Sequence, residues 1–173
     1  GYPVSKLKEK SSSPANRMIK ESDVISLHAY HNEKNQNFKT RYNYVNGMLK
    51  GWDNNKPVIL EETGIQMPDI YCCTGVDFHN NVWSSIFSGS MGTALHWNWD
   101  RGIHDNNYYE SYNHVAAFLA NENLRERGYA QQKWKNDNSS TMNKATIENF
   151  ALKSEDKLRV LGWVHNATFY WRN

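Results

Sequence analysis

Cysteine is nearly absent from this chain: Cys72 and Cys73 are the whole complement, and they are neighbours. Adjacent cysteines bond to each other only with strain, and two cannot build a disulfide framework, so two free thiols are expected. Charge is close to balanced, 20 Lys and Arg against 18 Asp and Glu, which gives no concentrated basic surface for nucleic acid. Long apolar runs are missing as well. Nothing approaches the roughly 20 residues that a membrane-spanning helix needs. No glycine-rich phosphate loop and no Gly-x-Ser-x-Gly elbow occurs, which argues against nucleotide binding and serine-hydrolase chemistry. His28-x-x-His31 with Glu33 lacks the i, i+4 spacing of a zinc-protease helix, so neither metal nor cofactor is assigned. The chain opens on Gly1-Tyr2-Pro3, as a fragment or a matured product would.

Aromatic residues are what the chain has in quantity: seven Trp, ten Tyr and six Phe. Cores use such residues, and so do sites that stack the flat faces of sugars. Packing is the first account of any single one.

The hydrophobic pattern alternates strand and helix. Residues 23–30 read as a strand, and Phe38, Tyr42, Val45, Leu49 and Trp52 form the stripe of an amphipathic helix. A second strand covers 57–62, a helix 77–88, a third strand 93–99 and another helix 110–120. Three strand–helix pairs with long connections predict parallel βα units, an α/β fold. From about Arg125 the pattern changes. Residues 146–152 and 157–164 flank the turn Ser154-Glu155-Asp156, as antiparallel hairpin strands do. The expected division is therefore 1–124 and an all-β module from 125 to 173. Three βα units cannot close a barrel, which takes eight and roughly 250 residues.

The run Lys56-Pro57-Val58-Ile59-Leu60-Glu61-Glu62-Thr63-Gly64 carries the sharpest chemical signal. An ionised carboxylate at the mouth of an apolar strand is costly to desolvate, so it has a partner or a reaction. In parallel α/β proteins, sites are built at the carboxyl ends of strands. Here those ends offer His28 and Tyr30, two apart and pointing one way, then Glu61 and Glu62, expected to point opposite ways. The third strand offers Trp97 and Trp99 on one face, with His96 and Asn98 on the other.

Three pieces resemble strands six, seven and eight of clan A glycoside hydrolases, the (β/α)8 TIM-barrel retaining enzymes that include cellulases and mannanases. They are Ser26-Leu27-His28-Ala29-Tyr30, Pro57 to Gly64, and Trp83 to Gly89 running on to Gly92-Thr93-Ala94-Leu95-His96-Trp97-Asn98-Trp99-Asp100. The resemblance spans about residues 23–121. It implies Glu62, two residues before a glycine, as the catalytic nucleophile. It implies His28 and Tyr30 as subsite residues that hold it, and Trp97 or Trp99 as the floor beneath a pyranose. Glu61, His96 and Asp100 fall in the supporting shell, with Asp100 and Arg101 placed to pair at a barrel rim.

The implied substrate is a β-linked poly- or oligosaccharide of β-mannan or β-glucan type, and the implied location is extracellular, periplasmic or at the cell surface. The family's acid/base follows an Asn at the end of strand four. The Asn-Glu pairs here, Asn32-Glu33 and Asn121-Glu122, follow strand six and end a helix, so neither fills that place. The chain is accordingly read as the C-terminal half of such a barrel followed by the start of a β-sandwich, inactive on its own. Two blander readings stand beside this one: Glu62 as a structural carboxylate capping the turn at Gly64, and a non-catalytic carbohydrate-binding protein on a degenerate barrel.

Overall fold

The computed structural model describes residues 21–31, 56–65, 75–132 and 147–166. The predicted helix from Phe38 to Trp52 and the two cysteines lie outside them. The first strand, β1 (Ile25–His31), buries Ile25, Leu27 and Ala29 and turns Ser26, His28 and Tyr30 to the other face. That period of two sorts the apolar residues to one side of the sheet. Beside it runs β2 (Val58–Ile65), parallel to it, with Ile25 opposite Val58 and Leu27 opposite Leu60. Lys56 ties the entry of β2 to the start of β1 through Nζ on the Ser22 carbonyl at 2.6 Å.

A third segment lies along the far edge of β2. Met91 N–H donates to the Val58 carbonyl at 2.9 Å, Thr63 N–H to Leu95 at 2.8 Å and Trp97 N–H to Thr63 at 2.8 Å. This is the third predicted strand, yet only the Thr63–His96 position makes a regular bridge. It ends earlier than its pattern suggests. From Trp99 to His104 the backbone is a π-helical turn, with Ile103 N–H donating back to the Asn98 carbonyl at 3.2 Å.

Helix α1 (Gly75–Phe87) connects β2 to this segment and starts two residues before its predicted bound. Phe78, Val82 and Ile86, spaced by four, lie along its buried side with Phe87. Its buried face also carries Ser84 and Ser85, and Ser85 Oγ accepts the Ala94 N–H at 2.9 Å. The helix stops at Gly89, where φ is +88°. Gly89 N–H reaches the Ile86 carbonyl and Ser90 N–H the Ser85 carbonyl, the paired bonds of a Schellman cap that favour glycine at this position. Helix α2 (Glu110–Leu119) buries one residue, Val115, and sets Tyr112 edge-on to Phe78 with ring centres 4.9 Å apart.

The antiparallel sheet holds β3 (Ala130–Gln132), β4 (Ile147–Lys153) and β5 (Val160–Asn166), in that order. Along β5, Leu161, Trp163 and His165 point inward while their neighbours are exposed. Trp163 packs within an aromatic group: stacked on Trp83 at 6.2 Å, with Phe87 at 5.9 Å and Phe150 at 5.3 Å. One apolar cluster thus joins α1, α2, β4 and β5. Neither sheet closes on itself among the described residues. No helix among them is long and apolar enough to cross a membrane.

This cluster sets a stability expectation. Removing a buried Trp side chain from a packed core costs about 3–5 kcal/mol. Trp163→Ala should lower the urea midpoint by a corresponding amount. Val164→Ala, one residue along and on the exposed side of β5, should change stability by less than about 0.5 kcal/mol.

Candidate functional site

The site is assembled by an irregularity in β2. Leu27 pairs with Leu60, but the next residue of β1, His28, pairs with Glu62. Glu61 is the extra residue of a β-bulge. Bulges break the strict alternation of a strand and re-aim a side chain. In a regular strand the two glutamates would face opposite ways. Here both reach the same histidine, and the expected opposition of Glu61 and Glu62 does not occur.

Around the bulge, His28 Nδ1 lies 3.0 Å from Glu62 Oε2 and its Nε2 lies 3.4 Å from Glu61 Oε2. The Tyr30 hydroxyl donates to Glu62 Oε2, and the Ser26 hydroxyl donates to Glu61 Oε2. Five side chains from the polar face of β1 and the end of β2 therefore form one chain of contacts. The Tyr30 ring meets His28 edge-on at 6.3 Å and Trp97 edge-on at 6.4 Å. Glu62 and His28 are about three-quarters covered, whereas the Glu61 side chain is 57% exposed.

The electrostatics follow the contacts. The Ser26 hydroxyl, and then the His28 ring, hold the Glu61 carboxyl below its ordinary value of 4.5. Burial pushes the Tyr30 phenol well above its ordinary 10.0, and the hydrogen bond to Glu62 and that group's charge add to the effect.

Behind this face, β2 is braced by a residue the sequence reading placed in the supporting shell. His96 is fully buried; its Nδ1 accepts the Asn98 N–H at 3.2 Å, which leaves the hydrogen on Nε2, 3.3 Å from Asp77 Oδ2. Its ring packs against Gly64, where φ is +149° and a β-carbon would lie 3.4 Å from the imidazole. His96 therefore supports the end of β2, two residues past Glu62, from the buried side. Asp77 was legible only as a helix-start residue, and Ser26 only through its place two residues before His28.

Trp97 stands at the edge of the cluster with more than half its surface exposed. Trp99 and Asp100 lie on the π-helical turn, both exposed. Backbone pairing with β2 ends at Trp97, so Trp99 no longer shares its face by alternation, and the contacts that build the cluster do not extend to it or to Asp100. Among the described residues, no group of three or more His, Cys, Asp or Glu side chains is arranged to hold a metal ion. A separate cleft of about 330 Å³ opens between the first turns of α1 and β5, lined by His79, Asn80, Trp163 and His165, and it contains neither glutamate.

No family model matches this chain, and neither curated proteins nor solved structures give a match.

The raised Tyr30 phenol fixes the sign of an alkaline effect. Its folded-state value lies above the unfolded one, so its contribution is full below pH 10 and is lost as pH rises beyond it. Spectrophotometric titration should find a phenol that ionises later than an ordinary tyrosine, and Tyr30→Phe should remove that phenol. Urea unfolding above pH 10 should show a shallower loss of stability in Tyr30→Phe than in the unaltered chain.

Proposed function

We propose that Glu62 is the nucleophile of a retaining glycoside hydrolase acting on β-linked poly- or oligosaccharides. The observation that carries this reading is the convergence on one carboxylate of a phenol and an imidazole, beside an exposed indole. In the first step a Glu62 oxygen attacks the anomeric carbon and displaces the leaving oxygen, forming a glycosyl ester. The Tyr30 hydroxyl and His28 Nδ1 bear on one oxygen of Glu62 and orient the other. The exposed face of Trp97 matches the C–H surface of a pyranose ring.

The leaving oxygen must receive a proton, and Glu61 is the wrong carboxyl to give it. A general acid of this class has its pKa raised, and that of Glu61 is lowered by Ser26 and His28. The acid/base is accordingly assigned to a further carboxylate about 5–5.5 Å from Glu62. The N-terminal half of a (β/α)8 barrel is the proposed source of that group. The same lack of a proton donor in the cluster favours a second reading, in which Tyr30, His28 and Trp97 bind glycan and Glu62 only accepts a hydrogen bond.

An aglycone that leaves as a stable phenolate needs no acid, which separates the two readings on this chain alone. Incubation with 2,4-dinitrophenyl 2-deoxy-2-fluoro-β-mannoside or β-glucoside should add one fluoroglycosyl mass, located on Glu62 by peptide mapping. Glu62→Gln should abolish the adduct. Reversible binding of mannan or glucan oligomers without any adduct would favour the binding protein. Failure of both would sink the carbohydrate reading.

A further inference from the structure

An imidazole offers two ring nitrogens, and here each faces a carboxylate oxygen: Nε2 faces Glu61 and Nδ1 faces Glu62. A neutral ring carries a single N–H, so it satisfies one of the two carboxylates and presents a lone pair to the other. The doubly protonated ring donates to both. Among the described residues, the other groups in contact with this cluster are uncharged: Ser26 and Tyr30 come from β1, and Trp97 closes the side beyond Tyr30. Glu61 is itself fixed, because Ser26 occupies the same oxygen that faces His28.

We infer that Glu61 is a positioning residue that holds His28 as an imidazolium, aimed through Nδ1–H at Glu62. The role given to Glu61 rests on the nucleophile reading of Glu62, but the proton arrangement itself does not. Glu62 reaches His28 because of the bulge; under strict alternation from buried Leu60, Glu61 would still share the polar face with His28 and Glu62 would turn to the apolar one. The three groups Glu61, His28 and Glu62 then carry a net charge of −1 in place of −2. That lowers the repulsion between neighbouring carboxylates. A donor on Nδ1 and the phenol of Tyr30 leave the other oxygen of Glu62 free to act.

The arrangement is read directly by ¹⁵N chemical shifts of the histidine rings at neutral pH, with His28 assigned by the loss of its signal in His28→Gln. In the unaltered chain both His28 nitrogens should give the shifts of N–H. In Glu61→Gln the ring should become neutral, with the hydrogen lost at Nε2 and kept at Nδ1. Ser26→Ala leaves the Glu61 charge but frees its side chain, and should give a mixture of the two forms. The signals of buried His96 report whether each variant retains its fold. A His28 that is neutral in the unaltered chain overturns the inference, as does an imidazolium that persists unchanged in Glu61→Gln. Trapping of the fluoroglycoside is scored on the same samples. A fluoroglycosyl adduct on Glu62 beside a neutral His28 leaves the hydrolase reading standing and removes this one. An imidazolium that depends on Glu61, without any adduct, keeps the proton arrangement and removes the hydrolase reading.

Discussion

The parallel pairing of β1 and β2 slips by one residue at Glu61, and the polar face of this protein depends on that slip. Before it, Ile25, Leu27, Val58 and Leu60 are buried together on one side of the sheet. Beyond it, Thr63 takes the buried position opposite Ala29, and Glu62 shares a face with His28. A strand without the extra residue would bury one of two adjacent carboxylates against α1, at a cost of several kcal/mol for an unpaired charge. The bulge places both in reach of solvent and of hydrogen-bond donors. Burial of the apolar face and assembly of the polar one are thus two consequences of a single irregularity.

The rest of the architecture holds that bulge in place. Thr63, just past it, donates its N–H to Leu95 and accepts from Trp97, so the end of β2 is pinned along its second edge as well. His96, clamped between Asp77 and the Asn98 amide, packs against Gly64 near the end of the strand. Asp77 stands in the first turn of α1, and α1 is anchored by Phe78, Val82 and Phe87 in the aromatic cluster with Trp163. A path of packed and hydrogen-bonded groups therefore runs from β5 through α1 to the back of the site. The carboxylates sit on a supported strand end, and a group that must hold one orientation gains from that support.

The cluster also illustrates how neighbouring carboxyl groups can be driven apart in character. Glu61 is exposed and receives a hydroxyl, which favours its ionised form. Glu62 is more covered and receives a phenol whose own ionisation is suppressed by burial and by that same carboxylate. The Ser26 and Tyr30 hydroxyls are each matched to a carboxylate oxygen. In the proposed chemistry this division leaves one carboxylate to form a bond and the other to hold the histidine between them.

Much of the local structure was written in the residue pattern. Alternation in Ile25-Ser26-Leu27-His28-Ala29-Tyr30 determined a strand with His28 and Tyr30 on one face, because side chains along an extended chain alternate whatever surrounds them. Spacing by four in Phe78, Val82 and Ile86 determined α1 in the same way, and the polar turn at Ser154 to Asp156 marked the hairpin of β4 and β5. The apolar strand ending in Glu61 and Glu62 also identified where to look for a site. Tertiary structure decided what local pattern cannot carry. The bulge arises from pairing with β1, so the shared face of the two glutamates is a property of two strands and is invisible in either one. The early end of the third strand belongs to the π-helical turn that buries Ile103, and it separates Trp99 from Trp97. The pairing of His96 with Asp77 joins residues 19 apart, brought together only when α1 folds back on the sheet.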